Sequence, residues 1–274
     1  MPSRLLLSAV YALQSPLQAE KGSLMISKIL CRGFLLVTTV LALGLGAWGQ
    51  CSDASMTGKY GFAGNGLDKN STPFSFLGYL KADGKGTFTG TETGSVDGTV
   101  FTNVPITGTY SIKSDCTGSG TSKLKGQKTG HFNLVVVSGG KNLQFLSTDA
   151  PSVQAGTAQA QGKVTCTLAG LKGNFGIEAS GVFIGVGAVA FDGLFALDGK
   201  GNVSGTESGS VAGTIFSGQS VTGTYSVASN CTGTMTVTVL GQTEHSSFVV
   251  TNSGKGLLLV ETDATTVVSG FGQQ

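Results

Sequence analysis

Beyond residue 50 the chain alternates apolar and polar positions in short runs. The clearest run is Met235-Thr-Val-Thr-Val-Leu240, with its apolar residues on one face and its threonines on the other. A period of two is the signature of a half-buried β-strand. Turn signals break these runs every ten residues or so, among them Asn65-Gly66, Asp83-Gly84, Asp97-Gly98, Gly139-Gly140 and Pro151. The spacing predicts about eight strands in the first half, near 58–65, 74–82, 86–96, 100–112, 117–125, 130–138, 142–148 and 153–163. No stretch keeps a 3.6-residue period long enough for a helix. The expected fold class is all-β: antiparallel meanders of about eight strands, closed as β-barrels or, alternatively, packed as β-sandwiches. Closure would remove the exposed edges that make Thr/Val-rich strands prone to aggregate.

The same pattern occurs twice. Gly90-Thr-Glu-Thr-Gly-Ser-Val-Asp-Gly-Thr-Val-Phe101 returns as Gly205-Thr-Glu-Ser-Gly-Ser-Val-Ala-Gly-Thr-Ile-Phe216, identical at nine of twelve positions. A shift of 115 also carries Asp83-Gly-Lys-Gly86 onto Asp198-Gly-Lys-Gly201 and Cys51 onto Cys166. Thr148-Asp-Ala150 matches Thr262-Asp-Ala264 at a shift of 114, so one residue is lost between. The chain therefore divides into an upstream segment over 1–49, one repeat over 50–165 and a second over 166–274.

Alternation assigns faces within each repeat. On the third strand Phe88, Gly90, Glu92, Gly94 and Val96 share a side, opposite a row of Thr and Ser. The apolar side is taken as the interior, which places Glu92, and Glu207 in the second repeat, inside. On the next strand Ile106, Gly108, Tyr110 and Ile112 share a face, echoed by Val221, Gly223, Tyr225 and Val227. If that face also points inward, Tyr110 lies over a glycine of the third strand and donates a hydrogen bond to Glu92. Glu92, Tyr110, Glu207 and Tyr225 are thus the candidate ligand-binding residues. An inward carboxyl in an apolar barrel is costly unless it is bonded or protonated, so the competing roles are a buried Glu–Tyr pair that merely fixes strand register and a Glu turned outward by a bulge that reverses the alternation.

Composition narrows the function. Charged residues make up only 12% of the chain and the formal net charge is +2, so there is no basic face for nucleic acid. Met25 to Gln50 carries Lys28 and Arg32, then an apolar run from Gly33 to Leu45 and the small-residue pattern Ala47-Trp48-Gly49. That reads as a secretory signal peptide starting at Met25 and cut after Gly49, and it is the expected contact with a membrane. With Cys31 inside it, four cysteines remain: Cys51, Cys116, Cys166 and Cys231, spaced by 65 residues in each repeat. One disulfide per repeat, Cys51–Cys116 and Cys166–Cys231, is the pairing the duplication favours, and export to an oxidising compartment suits it. No metal-ligand, phosphate or dinucleotide motif is present, and no cofactor is expected. The Asp-Gly-Lys-Gly stretches read as hairpin turns, Asp149 and Asp263 as cap-like acceptors, and His131 and His245 as surface residues.

The Gly-Thr-Tyr-Ser-x-x-Ser-x-Cys-Thr-Gly and Asp-Gly-Lys-Gly stretches resemble the Gly/Thr-rich tandem repeats of uncharacterised proteins exported by soil bacteria. That resemblance covers nearly all of 51–274 and implies export. Each repeat also looks like a lipocalin or calycin barrel. Gly58-Lys-Tyr60 and Gly173-Asn-Phe175 stand where that family has Gly-x-Trp, and Thr148-Asp-Ala150 and Thr262-Asp-Ala264 where it has Thr-Asp-Tyr. The repeats lack the family's Trp, its Tyr after the Asp, its arginine and its C-terminal helix. The likeness implies a barrel that holds a small ligand. The expected function is an exported, non-enzymatic tandem barrel binding a small apolar or amphipathic molecule. The alternative is a structural or adhesive cell-surface module with solid barrels, and a barrel isomerase or cyclase using Glu92 is the enzymatic option.

Overall fold

The structure is a computed structural model that describes residues 50–274. The expected signal peptide, with its start at Met25, and Cys31 lie outside the described residues. The first repeat forms β1 (Thr57–Leu67), β2 (Pro73–Asp83), β3 (Thr87–Val96), β4 (Thr99–Ile112), β5 (Thr117–Leu124), β6 (Gly130–Val137), β7 (Asn142–Ser147) and β8 (Val153–Ala160). The second forms β9 (Lys172–Phe183), β10 (Gly187–Asp198), β11 (Asn202–Val211), β12 (Thr214–Val227), β13 (Thr232–Val239), β14 (Gln242–Thr251), β15 (Gly256–Glu261) and β16 (Thr266–Gln273). Each strand pairs antiparallel with the next, and β8 returns to β1 as β16 returns to β9. Both sheets are closed barrels, which rules out the sandwich. Residues 161–171 join them.

Local chemistry explains the hairpins. In Asp83-Gly-Lys-Gly the carboxylate of Asp83 accepts the N–H groups of Lys85 and Thr87 and the Thr87 hydroxyl. These bonds hold the Asp83 carboxyl down at about 2. Gly84 takes φ 73° and Gly86 φ 102°, conformations that L side chains avoid. Asp198 repeats the arrangement with Lys200 and Asn202.

The interiors are built from aromatic rings laid over glycines. Phe62 stands opposite Gly78, Phe88 opposite Gly108, and Phe145 opposite Gly156. Each ring occupies the space a side chain at the facing glycine would need; a Cβ at Gly108 would run into the Phe88 ring and the Thr121 carbonyl. A small barrel cannot hold two large residues at one level, so Phe–Gly alternation fills it without overpacking. The second barrel does the same with Phe248 opposite Gly233.

A β-bulge sits beside each inward glutamate. The register of β3 with β4 slips between Glu92 and Gly94, so β4 carries an extra residue. Asn103 there adopts φ 53°, and its N–H donates to Thr93 Oγ1. The second repeat repeats the slip at Glu207/Gly209, where Gly218 takes φ 61° and donates to Ser208 Oγ. Such bulges bend a strand and raise its twist.

The two barrels pack side by side into one compact unit within the described residues 50–274. Ala63 of β1 and Leu77 of β2 bury against Val249 of β14 and against Leu258 and Val260 of β15. Gly61 lets β1 come close: a Cβ there would lie 2.6 Å from Val249 Cγ1. Backbone bonds from Thr265 to Gly98 and from Ser253 to Gln161 complete the contact. The contact is not two-fold, because each repeat contributes a different face. At the positions equivalent to Ala63 and Leu77 the second repeat carries Glu178 and Asp192. That face therefore does not offer a further barrel the same apolar seat.

Candidate functional site

Each barrel has a closed end and an open end. The closed end of the first is tied by the Cys51–Cys116 disulfide and by a short 3-10 turn, Asp53–Ser55, which plugs the bottom. The Asp53 carboxylate accepts the Ile112 N–H at 2.6 Å. Tyr60 donates to the Gly140 carbonyl, and Tyr110 donates to the Met56 carbonyl at 2.7 Å. The same Tyr110 oxygen accepts the Gly84 N–H at 2.9 Å. The second repeat repeats this with the Cys166–Cys231 disulfide and with Tyr225 between Leu171 and Gly199. The expected Tyr110–Glu92 bond is therefore not formed, and neither Tyr110 nor Tyr225 lines the cavity of its barrel. Their hydroxyls satisfy backbone groups at the plug, which makes them structural. The alternation identified their face correctly but not their height, which is set by the turn each hydroxyl caps.

Above the plug the first barrel encloses a cavity of about 210 Å³. Its wall is largely apolar, with the rings of Phe62, Phe76, Phe88, Phe132 and Phe145 contributing. Glu92 projects into it from β3, as the alternation indicated. No hydrogen bond or ion pair joins Glu92 to another described residue. Glu92 is half-buried, and desolvation pushes its carboxyl up to about 7. Around neutral pH it is therefore poised between a hydrogen-bond donor and an anion. The open end is rimmed by Ser122, Gly130, Ser147 and Ser152, and by His131 and Asp149.

In the second barrel the corresponding space is about 50 Å³. Several lining positions differ between the repeats. Ser122, Gly130 and Ser147 of the first barrel become the larger Val237, Glu244 and Glu261, and Leu80 and Leu134 become Phe195 and Phe248, while Phe62, Phe132 and Phe145 become the smaller Ile177, Ser246 and Leu259. Glu207, Glu244 and Glu261 then share one interior. Burial, and after it the charges of Glu244 and Asp192, raises Glu207 to about 7. Burial, followed by Glu244, Asp263 and Glu207, raises Glu261 to about 8. Burial and then Asp263 raise Glu244. The Glu207 Oε1 atom is buried and has no hydrogen-bond partner.

Sequence reasoning missed this trio because it compared the repeats for what they share. Glu244 and Glu261 are positions where they differ, so they carried no repeat signal. It also treated His131 and Asp149 separately. They form a pair: Asp149 accepts the His131 N–H at 2.6 Å and meets Nδ1 at 2.8 Å. His245 and Asp263 pair identically. Both residues recur in both repeats at a spacing of 18, and that recurrence was the available signal. The Asp149 carboxyl is lowered chiefly by the His131 backbone N–H. The pairs clamp the β6–β7 and β14–β15 ends at the open rims.

No family model matches the chain, and no curated protein matches it.

Proposed function

We propose that this is an exported binding protein whose first barrel takes up one small, largely apolar molecule through its open end. The observation that carries this reading is the aromatic cavity of about 210 Å³ with one unpartnered carboxyl, Glu92, in its wall. An engineered apolar cavity of roughly 150 Å³ is enough to hold benzene, so a single-ring molecule with one polar group matches this space. Glu92 would orient that group, donating to it when protonated and accepting from it when ionised. The two disulfides agree with an oxidising compartment outside the cytosol.

Two observations favour other readings. The nearly filled second barrel is what a solid structural module would have. A carboxyl near 7 is also what a general acid–base needs, which keeps a barrel isomerase or cyclase as the second reading. Yet Glu92 makes no hydrogen bond to another described residue that could share its proton.

The test is native mass spectrometry of the gently purified protein, alongside a Gly130→Glu plus Ser147→Glu variant. That pair copies the second barrel's own residues into the first and fills its open end. A bound molecule present on the wild type and absent from the variant supports binding in the first barrel. A clean apo mass for both, after growth in varied media, overturns it. Conversion of the recovered molecule on incubation with fresh protein would move the conclusion to the enzyme.

A further inference from the structure

The second barrel holds a feature that binding in the first does not explain. Glu207 on β11, Glu244 on β14 and Glu261 on β15 converge on one small space in the barrel's upper half. Glu207 and Glu261 are only 8% and 7% exposed. Among the described residues that line this space there is no Lys or Arg. The charged or titratable groups around the trio are Asp192 on β10, His245 beside Glu244, and Asp263 in the turn after β15. Both of these aspartates are acidic, and His245 is already engaged by Asp263. From β9 and β13 the neighbours are Ile177, Met235 and Val237, none of which carries charge.

From this arrangement we infer that the second barrel is a separate site for a compact monovalent cation of the primary-ammonium class. Glu207 lines this space, and its buried Oε1 oxygen is a hydrogen-bond acceptor without a partner. An ammonium head carries three donors and no required coordination number, so it can pair with the Glu207 carboxylate alone and donate to whichever neighbouring carboxyl lies within reach. The remaining wall includes Phe191, Phe195 and Phe248, whose ring faces attract a cation. A metal ion would need its ligands gathered around one centre, and among the described residues no group of three or more His, Cys, Asp or Glu is so arranged. The volume, about 50 Å³, suits an ammonium group carrying about one carbon and excludes a bulky quaternary cation. The first barrel lacks two of the three carboxyls, so the duplication would have separated two specificities: an apolar cup and a cationic pocket.

Binding must compete with protons. Glu207 ionises near 7 in the empty barrel, so a cation that needs it ionised binds about thirty-fold more weakly near pH 5.5 than near pH 8. Isothermal titration with methylammonium chloride tests this, against potassium chloride and tetramethylammonium chloride at matched ionic strength. Repeating it in buffers of different ionisation enthalpy counts the protons released. The expected result is methylammonium binding near pH 8, with proton release, weakening by that factor near pH 5.5. Glu207→Gln, which keeps the shape, and Glu244→Gly plus Glu261→Ser, which copies the first barrel, should each abolish it. Absence of binding overturns the inference, as does equal binding of potassium or tetramethylammonium, tighter binding of calcium, or full retention in Glu207→Gln. The Gly130→Glu plus Ser147→Glu variant gives the first barrel the same three carboxyls, Glu92 among them, so it should keep the second-barrel site and gain a further methylammonium equivalent, whether or not the wild-type first barrel takes up an apolar molecule.

Discussion

Replacing Glu92 by Gln isolates the energetics of the first barrel's interior. The carboxyl ionises near 7 in the folded barrel against 4.5 ordinarily, and the cause is burial in an apolar cavity. The folded state therefore holds the proton more tightly than the unfolded chain does. Its stabilising contribution is full below about pH 4.5, falls as pH rises to about 7, and stays lost above that. The loss amounts to about 3 kcal/mol between pH 4.5 and pH 8.5 at about 1.4 kcal/mol per pH unit of displacement. Gln has the same shape and does not titrate, so Glu92→Gln lacks this component. The stability gap between variant and wild type should open by about 3 kcal/mol in the variant's favour as pH rises. Urea unfolding followed by far-ultraviolet circular dichroism reads this as a midpoint shift of about 1 M or more, with the slope unchanged. The second barrel's carboxyls titrate in both proteins and cancel in the difference. A gap that stays constant across this pH range would refute the assignment, because Glu92 would then be hydrated as it is in the unfolded chain.

Tyr110→Phe leaves the Met56 carbonyl and the Gly84 N–H without their partner, which should cost about 1–3 kcal/mol while leaving uptake by the cavity unchanged. Reduced uptake at full stability would return Tyr110 to the ligand site. Leu77→Asp copies the second repeat's residue into the contact between barrels, where Leu77 is 2% exposed. It should cost about 3 kcal/mol or more and release the barrels from one another, read as faster proteolysis within residues 161–171 with both barrels still folded. Removing the first disulfide, which links cysteines 65 residues apart, by Cys51→Ser plus Cys116→Ser should lower that barrel's unfolding free energy by about 4 kcal/mol, measured against the second barrel as internal control.

Much of this architecture is local and periodic, and so is legible in the residues themselves. The strands follow from alternation, the turns from Asp-Gly and Gly-Gly, and the two-barrel plan from the 115-residue repeat. The paired cysteines recur within that repeat, and the inward side of Glu92 and Glu207 needs only the period of two. What alternation cannot supply is distance along the barrel axis or the content of the space between strands. Tyr110 and Glu92 share an interior, yet the tyrosine hydroxyl is drawn to the plug by two backbone groups some 54 and 26 residues away in sequence. The gathering of Glu207, Glu244 and Glu261 depends on closure, which brings β11, β14 and β15 around one lumen. The difference between the larger cavity and the smaller one rests on lining side chains from several strands, those at 80, 122, 130, 134 and 147 among them, whose volumes matter only once the ring is closed. Charge and volume inside a barrel are sums over strands far apart in the chain, so only the tertiary structure decides them.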